Sequence, residues 1–98
     1  MKKAVKLDAT DNVMTCTSEI FSGEFVESAG ITGDTVQSVE NIPAWHKIAL
    51  RDIRKGEKIF KYGEIIGETN SDIPKGGLVS HENIFSVPRD YAGEYVKE

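Results

Sequence analysis

The fold is decided by residues 41–84, which read NIPAWHKIALRDIRKGEKIFKYGEIIGETNSDIPKGGLVSHENI. Short turn units punctuate this stretch, and each of them starts with an isoleucine: Ile42-Pro43-Ala44-Trp45, Ile53-Arg54-Lys55-Gly56 and Ile73-Pro74-Lys75-Gly76. Proline sets φ for the second position of a β-turn, and glycine suits the position that leaves it. The runs between the units are short and rich in β-branched residues, so they predict a folded ribbon of short strands.

The turn units also predict which side chains are buried. An apolar residue opens each unit and a lysine lies inside two of them, so we expect Ile53 and Ile73 to be buried and Lys55 and Lys75 to be exposed. Outside the central stretch, a further unit of the same kind starts at Ile20. The spacing between units is irregular, which argues against a solenoid repeat and favours a chain that folds back on itself.

Alternation of apolar and polar residues predicts the strands. They cover residues 3–8, 13–17, 25–27, 35–40, 46–50, 58–62, 64–69 and 78–80. The fold class is therefore mostly β. Near the C-terminus, Tyr91 and Tyr95 lie one helical turn apart behind Asp90, which predicts either a short helix or a tail that docks on a partner.

Composition limits the class of protein. A chain of 98 residues is long enough for one domain and leaves no room for a second core. The hydrophobic fraction of 39% and the charged fraction of 29% are typical of a globular domain. The net charge of −4 argues against nucleic acid as a partner, because nucleic-acid-binding domains carry a basic excess.

Cys16 is the single cysteine, which excludes an internal disulfide and a cysteine-rich metal site. We expect it to be a small buried apolar residue. Asp8 and Asp11 interrupt the N-terminus before any long apolar run. We therefore expect neither a signal peptide nor a membrane partner, and we place the protein in the cytoplasm.

Several runs of residues carry a resemblance to a known family. They are Ile42-Pro43-Ala44, His46-Lys47-Ile48-Ala49-Leu50, Asp52-Ile53 with Lys55-Gly56-Glu57, Lys61-Tyr62-Gly63-Glu64-Ile65-Ile66-Gly67, and Asp72-Ile73-Pro74 with Gly76. In this order and spacing they resemble the SAF-type (β-clip) domain at the N-terminus of altronate and galactarate dehydratases. The same domain is a separate small subunit in relatives such as sulfolactate sulfo-lyase. The resemblance implies an SAF-like β-clip domain at residues 1–87 and a C-terminal tail at 88–98.

The resemblance also implies an activity. In this family's chemistry a base removes the proton α to the carboxylate of a sugar acid, and a metal or cationic groups stabilise the enediolate as water leaves. The chain is then a small accessory subunit that closes over the active site of a separate large catalytic subunit and has no lyase activity alone. We expect no cofactor in this chain and a divalent metal of the iron or manganese type in the assembled enzyme. Whether the chain forms a homo-oligomer is left open.

His46 and Lys47 are the catalytic candidates that the resemblance implies. The family has a Gly-His-Lys turn, and here Trp45 stands in the glycine position. Alternation directs Lys47 away from His46 in a regular strand, so a site that uses both needs one of them in the turn. Judged by residue type alone, His46 is also compatible with a hydrogen-bonded histidine at a strand edge, and Lys47 with a solvated surface lysine.

Residues 80–83 supply the substrate-binding candidates His81, Glu82 and Asn83. The family often has two histidines that flank one residue before an asparagine, but here Ser80 and Glu82 hold those two positions and only Asn83 matches directly. A metal role of that pair is therefore not transferred to this chain. This altered motif supports an alternative function, a stand-alone SAF-type binding or structural module without catalysis.

Overall fold

The computed structural model describes residues 1–6, 8–29, 33–80 and 83–85, with Phe85 described by its backbone alone. The strands in this part of the chain are β1 (Lys2–Val5), β2 (Val13–Cys16), β3 (Phe25–Ser28), β4 (Thr35–Gln37), β5 (Lys47–Ala49), β6 (Lys58–Lys61), β7 (Glu64–Thr69), β8 (Leu78–Val79) and β9 (Ile84–Phe85). The prediction of a mostly β domain is confirmed. Across these ranges no helix is long and apolar enough to cross a membrane.

The eight predicted strands correspond to β1–β8, with ends that differ by up to three residues. The last strand, β9, was not predicted, because two residues are too short to show an alternating pattern. The predicted tail at 88–98, with its candidate helix around Tyr91 and Tyr95, lies outside the described residues.

The strands form two sheets. The larger sheet has the order β4-β3-β1-β2-β5-β8, and the smaller has the order β6-β7-β9. Neighbouring strands are antiparallel except β1 and β3, which run parallel. Between β6 and β7 the chain turns at Tyr62 and Gly63, whose φ values of +56° and +79° are those of the tight hairpin turn that matches strand twist.

Strands β2 and β5 are buried on both faces. The first core lies on one face and comprises Ala4, Met14, Cys16, Ile20, Val26, Val36, Ile42 and Ile48. The second core lies on the other face and comprises Val13, Ala49, Ile53, Ile59, Ile73 and Val79. The second core forms because residues of the small sheet cover the face of β2 and β5 that would otherwise meet solvent.

The isoleucine turn units pair two by two. Ile20 and Ile42 form an isolated antiparallel bridge, and so do Ile53 and Ile73. In each bridge the two residues exchange N–H to carbonyl hydrogen bonds of 2.7–2.8 Å. All four side chains are at most 2% exposed. The predicted burial of Ile53 and Ile73 is therefore confirmed, as is the predicted exposure of the two turn lysines.

A polar residue before the isoleucine stabilises the opposite turn of each pair. The Asp72 carboxylate accepts the Lys55 N–H at 2.8 Å, and the Asp52 carboxylate accepts the Lys75 N–H at 2.8 Å. In the other pair, the Asn41 side-chain oxygen accepts from the N–H of Ser22 at 2.8 Å. These bonds satisfy turn amides that would otherwise rely on water, so the turns that begin at Ile20, Ile53 and Ile73 are each held by a side chain of the partner unit.

Cys16 is fully buried in the first core, as predicted. Burial raises the pKa of its thiol from the ordinary value of 9.0 to about 11. We expect Cys16 to resist a thiol-specific reagent at pH 8 in the folded protein and to react at once in urea, because the thiolate is the reactive form. The raised pKa also means that stability falls as the pH rises from about 9 towards 11, since only the unfolded chain ionises there. Rapid labelling of the folded protein would contradict this assignment.

Candidate functional site

The turn that precedes β5 carries the first candidate residues. Trp45 is 69% exposed and has a φ of +69°, in the left-handed region that is unfavourable for a bulky side chain. At the matching position of the other three units, glycines have φ values of +84° to +93°. The Trp45 N–H donates to the Cys16 carbonyl at 2.7 Å, and the Cys16 N–H donates to the His46 carbonyl at 2.8 Å. These bonds to β2 hold the turn, so the tryptophan keeps a glycine-like geometry.

His46 is partly buried at the end of this turn, immediately before β5. Its ring Nδ1 lies 3.1 Å from the Ala44 carbonyl oxygen. A carbonyl oxygen can only accept, so Nδ1 carries a proton in this bond, and in the neutral ring the basic nitrogen is Nε2. The backbone thus orients the ring in a way that suits a proton-transferring histidine.

Lys47 is the first residue of β5 and pairs with Thr15 on one side and with Val79 on the other. Alternation places Lys47 on the face of Ala49, which belongs to the second core, whereas Ile48 belongs to the first. His46 and Lys47 are thus directed to opposite sides of the sheet. His46 and Lys47 therefore do not lie together in one site within this domain. The catalytic role of each residue stays a prediction.

The environment of Lys47 favours the loss of its proton. Burial lowers the pKa of its ammonium group, and the nearby positive charge of Lys61 lowers it further. A lysine that was merely solvated would show neither effect. Lys47 is partly buried rather than fully exposed to solvent.

Lys61 is a candidate that sequence reasoning missed. It ends β6, and its ammonium group lies 4.9 Å from the centroid of the Tyr62 ring. The turn after β6 is held by a residue about fifty positions earlier in the sequence. The buried Asp11 carboxylate accepts the Tyr62 and Gly63 N–H groups at 2.8 Å each. In the sequence, Lys61-Tyr62-Gly63 contributes to the family resemblance. No local pattern could show that it lies near Lys47.

Asn83 uses its side chain to close the turn after β8. Its Oδ1 accepts the Ser80 N–H at 2.8 Å, and its Nδ2 donates to the Leu78 carbonyl at 2.6 Å. Both ends of the amide are thus bonded to backbone, which favours a structural role. Substrate binding by Asn83 stays a prediction, and His81 and Glu82 lie outside the described residues.

The metal that the resemblance implies needs several protein ligands in one place. Within the ranges that the structure describes, no three histidine, cysteine, aspartate or glutamate side chains are grouped to hold an ion. These residues do not fit a metal centre of their own, so we assign no metal-bound step to them.

Among the curated proteins that resemble this chain are two dehydratases that are much longer than it is. It is 34% identical over 83 residues to altronate dehydratase of Bacillus subtilis (strain 168), an alignment that covers 85% of this chain and 16% of that protein. It is 31% identical over 80 residues to galactarate dehydratase (L-threo-forming) of Escherichia coli (strain K12), covering 82% of this chain and 14% of that protein. The chain therefore spans about a sixth of the length of these relatives.

A further relative is (2R)-sulfolactate sulfo-lyase subunit alpha of Paracoccus pantotrophus. It is 40% identical over 43 residues, which cover 44% of this chain and 64% of that subunit. A family model described as the altronate/galactarate dehydratase SAF domain matches residues 2–87. This match includes the turn units, both cores and the described parts of both sheets, and it shows that the chain belongs to the altronate/galactarate dehydratase SAF domain family.

Proposed function

We propose that this chain is the accessory SAF component of a carbon–oxygen lyase and closes over the active site of a separate large catalytic chain. The observation that carries the proposal is the relative named as subunit alpha of a sulfo-lyase, since it is itself called one subunit of a lyase. The altronate and galactarate dehydratases suggest the substrate class, a sugar acid from which water is eliminated.

Such an elimination needs a group that moves a proton and positive charge that stabilises the developing enediolate. In this proposal His46 presents Nε2 to the partner's active site, while its Nδ1–H stays bonded to the Ala44 carbonyl. The exposed Trp45 beside it lies on the surface that meets the catalytic chain. Backbone strain in a bulky exposed residue is a feature of functional sites, which supports this assignment.

Lys47 supplies positive charge on the other side of β5. Its lowered pKa results first from burial and then from the charge of Lys61. An anionic ligand would relieve both effects, because an opposite charge favours the protonated lysine. Lys47 thus suits a carboxylate better than it suits a neutral substrate.

The His46→Ala variant tests this function in an enzyme reconstituted from this chain and a large dehydratase chain. We expect kcat for altronate or galactarate to fall about 100-fold or more, the contribution typical of a group that transfers protons. We expect the melting temperature of the variant to be almost unchanged, because His46 lies at the edge of the packed region rather than within a core.

Two controls accompany this experiment. Lys55→Ala, at an exposed turn tip, should leave both activity and melting unchanged. The chain without the catalytic partner should turn over neither substrate, and turnover by the chain alone would refute the accessory role. If His46→Ala melts several degrees lower but its folded fraction keeps full activity, His46 is a structural residue. The non-catalytic binding module then becomes the better description.

A further inference from the structure

The third residue of each isoleucine turn unit places a backbone N–H at an equivalent position. These donors belong to Ser22, Ala44, Lys55 and Lys75. In three of the four units, the donor is bonded at 2.8 Å to a side-chain oxygen of the residue that precedes the isoleucine of the partner unit. The acceptors for Ser22, Lys55 and Lys75 are Asn41, Asp72 and Asp52. A short carboxylate or amide side chain therefore fills this position in three turns.

Ala44 is the exception. Within the described part of the chain, its N–H has no hydrogen-bond acceptor. The equivalent residue of the partner unit is Glu19, which is exposed and one methylene longer than aspartate, and its carboxylate does not accept the Ala44 N–H. Ala44 is partly exposed, so water can bond its N–H in the free chain. The position is thus open to an acceptor from outside the chain.

The next residue, Trp45, points to an outside contact independently. Trp45 and Tyr62 are the two non-glycine residues with a positive φ among those that the structure describes, and both are exposed. The left-handed backbone raises the free energy of the folded chain, and the exposed indole recovers little of it by packing within the domain. Tryptophan is enriched among the residues that dominate the binding energy of protein interfaces.

We propose that the Ala44-Trp45 turn is the docking point for the separate catalytic chain. The Trp45 indole enters an apolar pocket of that chain, and an aspartate or asparagine beside the pocket accepts the Ala44 N–H. The catalytic chain thereby supplies the acceptor that the partner unit supplies in the other three turns. This interface rests on the proposed function, because it takes the separate catalytic chain as the partner. Docking here also brings His46, the next residue, to that chain.

Glu19→Asp tests the open amide position. Aspartate is the acceptor in two of the other turns, so this variant should bond the Ala44 N–H internally and slow its hydrogen exchange in the free chain. The filled position excludes an outside acceptor, and we expect the affinity for a large dehydratase chain to fall roughly tenfold, the loss typical of a hydrogen bond to a charged group. Glu19→Ala leaves the position open and should bind as the wild type does.

Trp45→Gly tests the anchor. We expect the affinity for the large chain to fall roughly tenfold or more, and the variant should melt no lower than the wild type because glycine adopts the left-handed conformation readily. Tyr62→Gly is the matched control, since Tyr62 is also exposed and left-handed. The Tyr62 N–H is bonded to Asp11, ahead of β2. The Trp45 N–H is bonded to Cys16, at the other end of β2, so the control should bind as the wild type does.

Hydrogen exchange at Ala44 gives a readout that does not depend on activity. In the wild type, it should be fast in the free chain and slow in the complex. The proposal is overturned if no complex with a large dehydratase chain forms, if either Trp45→Gly or Glu19→Asp binds that chain like the wild type, or if exchange at Ala44 is the same in the free chain and in the complex.

Failure of this interface is distinct from failure of the proposed function. Turnover of altronate or galactarate by a complex that both variants form as tightly as the wild type would refute the interface alone. A complex that both variants weaken, but that turns over no sugar acid, would refute the function alone.

Discussion

Gly76→Ala is expected to destabilise the protein by about 2–5 kcal/mol in urea unfolding, a large part of a typical total of roughly 5–15 kcal/mol. Gly76 has a φ of +84°, and a Cβ atom at this position would overlap the backbone carbonyl oxygen of Gln37. The backbone there cannot move away easily. The Gly76 N–H donates to the Ala49 carbonyl at 2.8 Å, and the Gly76 carbonyl accepts from the Val39 N–H at 3.0 Å.

Gly56→Ala is the matched control, because it tests the backbone conformation without the overlap. Gly56 holds the same position in its turn unit with a φ of +89°, and nothing lies within 4 Å of an added Cβ. We expect a loss of about 1–2 kcal/mol from the left-handed conformation alone. If the two variants lose equal stability, the close approach of the Gly76 turn to Gln37 does not matter.

Ile73→Ala is expected to cost about 2–5 kcal/mol as a core truncation. Ile73 is 2% exposed, belongs to the second core and exchanges two backbone hydrogen bonds with Ile53. The alanine variant keeps these backbone bonds and loses only side-chain packing. Urea melts of the purified chain measure the difference directly.

Lys75→Ala, two residues further along the same turn, provides the comparison. Lys75 is exposed, and it donates its backbone N–H, which alanine keeps, to the Asp52 carboxylate. We expect a change within about 0.5 kcal/mol. Equal costs for Ile73→Ala and Lys75→Ala would show that the second core does not depend on the turn isoleucines.

Local sequence was sufficient for the strands, the turn units and the burial of their isoleucines. Turn formation depends on a few neighbouring residues, such as Pro74 and Gly76, and strand alternation depends on residues two positions apart, such as Ile48 and Leu50. Both signals are short-range, so they are visible without knowing what packs against them. The family likewise followed from ordered motifs such as His46-Lys47 and Lys61-Tyr62-Gly63.

The pairing of these elements was decided by tertiary structure. Nothing near Ile20 indicates that it bridges to Ile42, or that Asp11 binds the turn at Tyr62. The same holds for Lys61, which belongs to a different sheet from Lys47 and whose charge lowers the pKa of Lys47 in the folded chain. Such contacts are set by which faces pack together, a non-local choice that depends on the total apolar area buried. The sequence alone therefore determined the strands, the turns and the family, and the packing of the two sheets determined which residues distant in the sequence lie near one another.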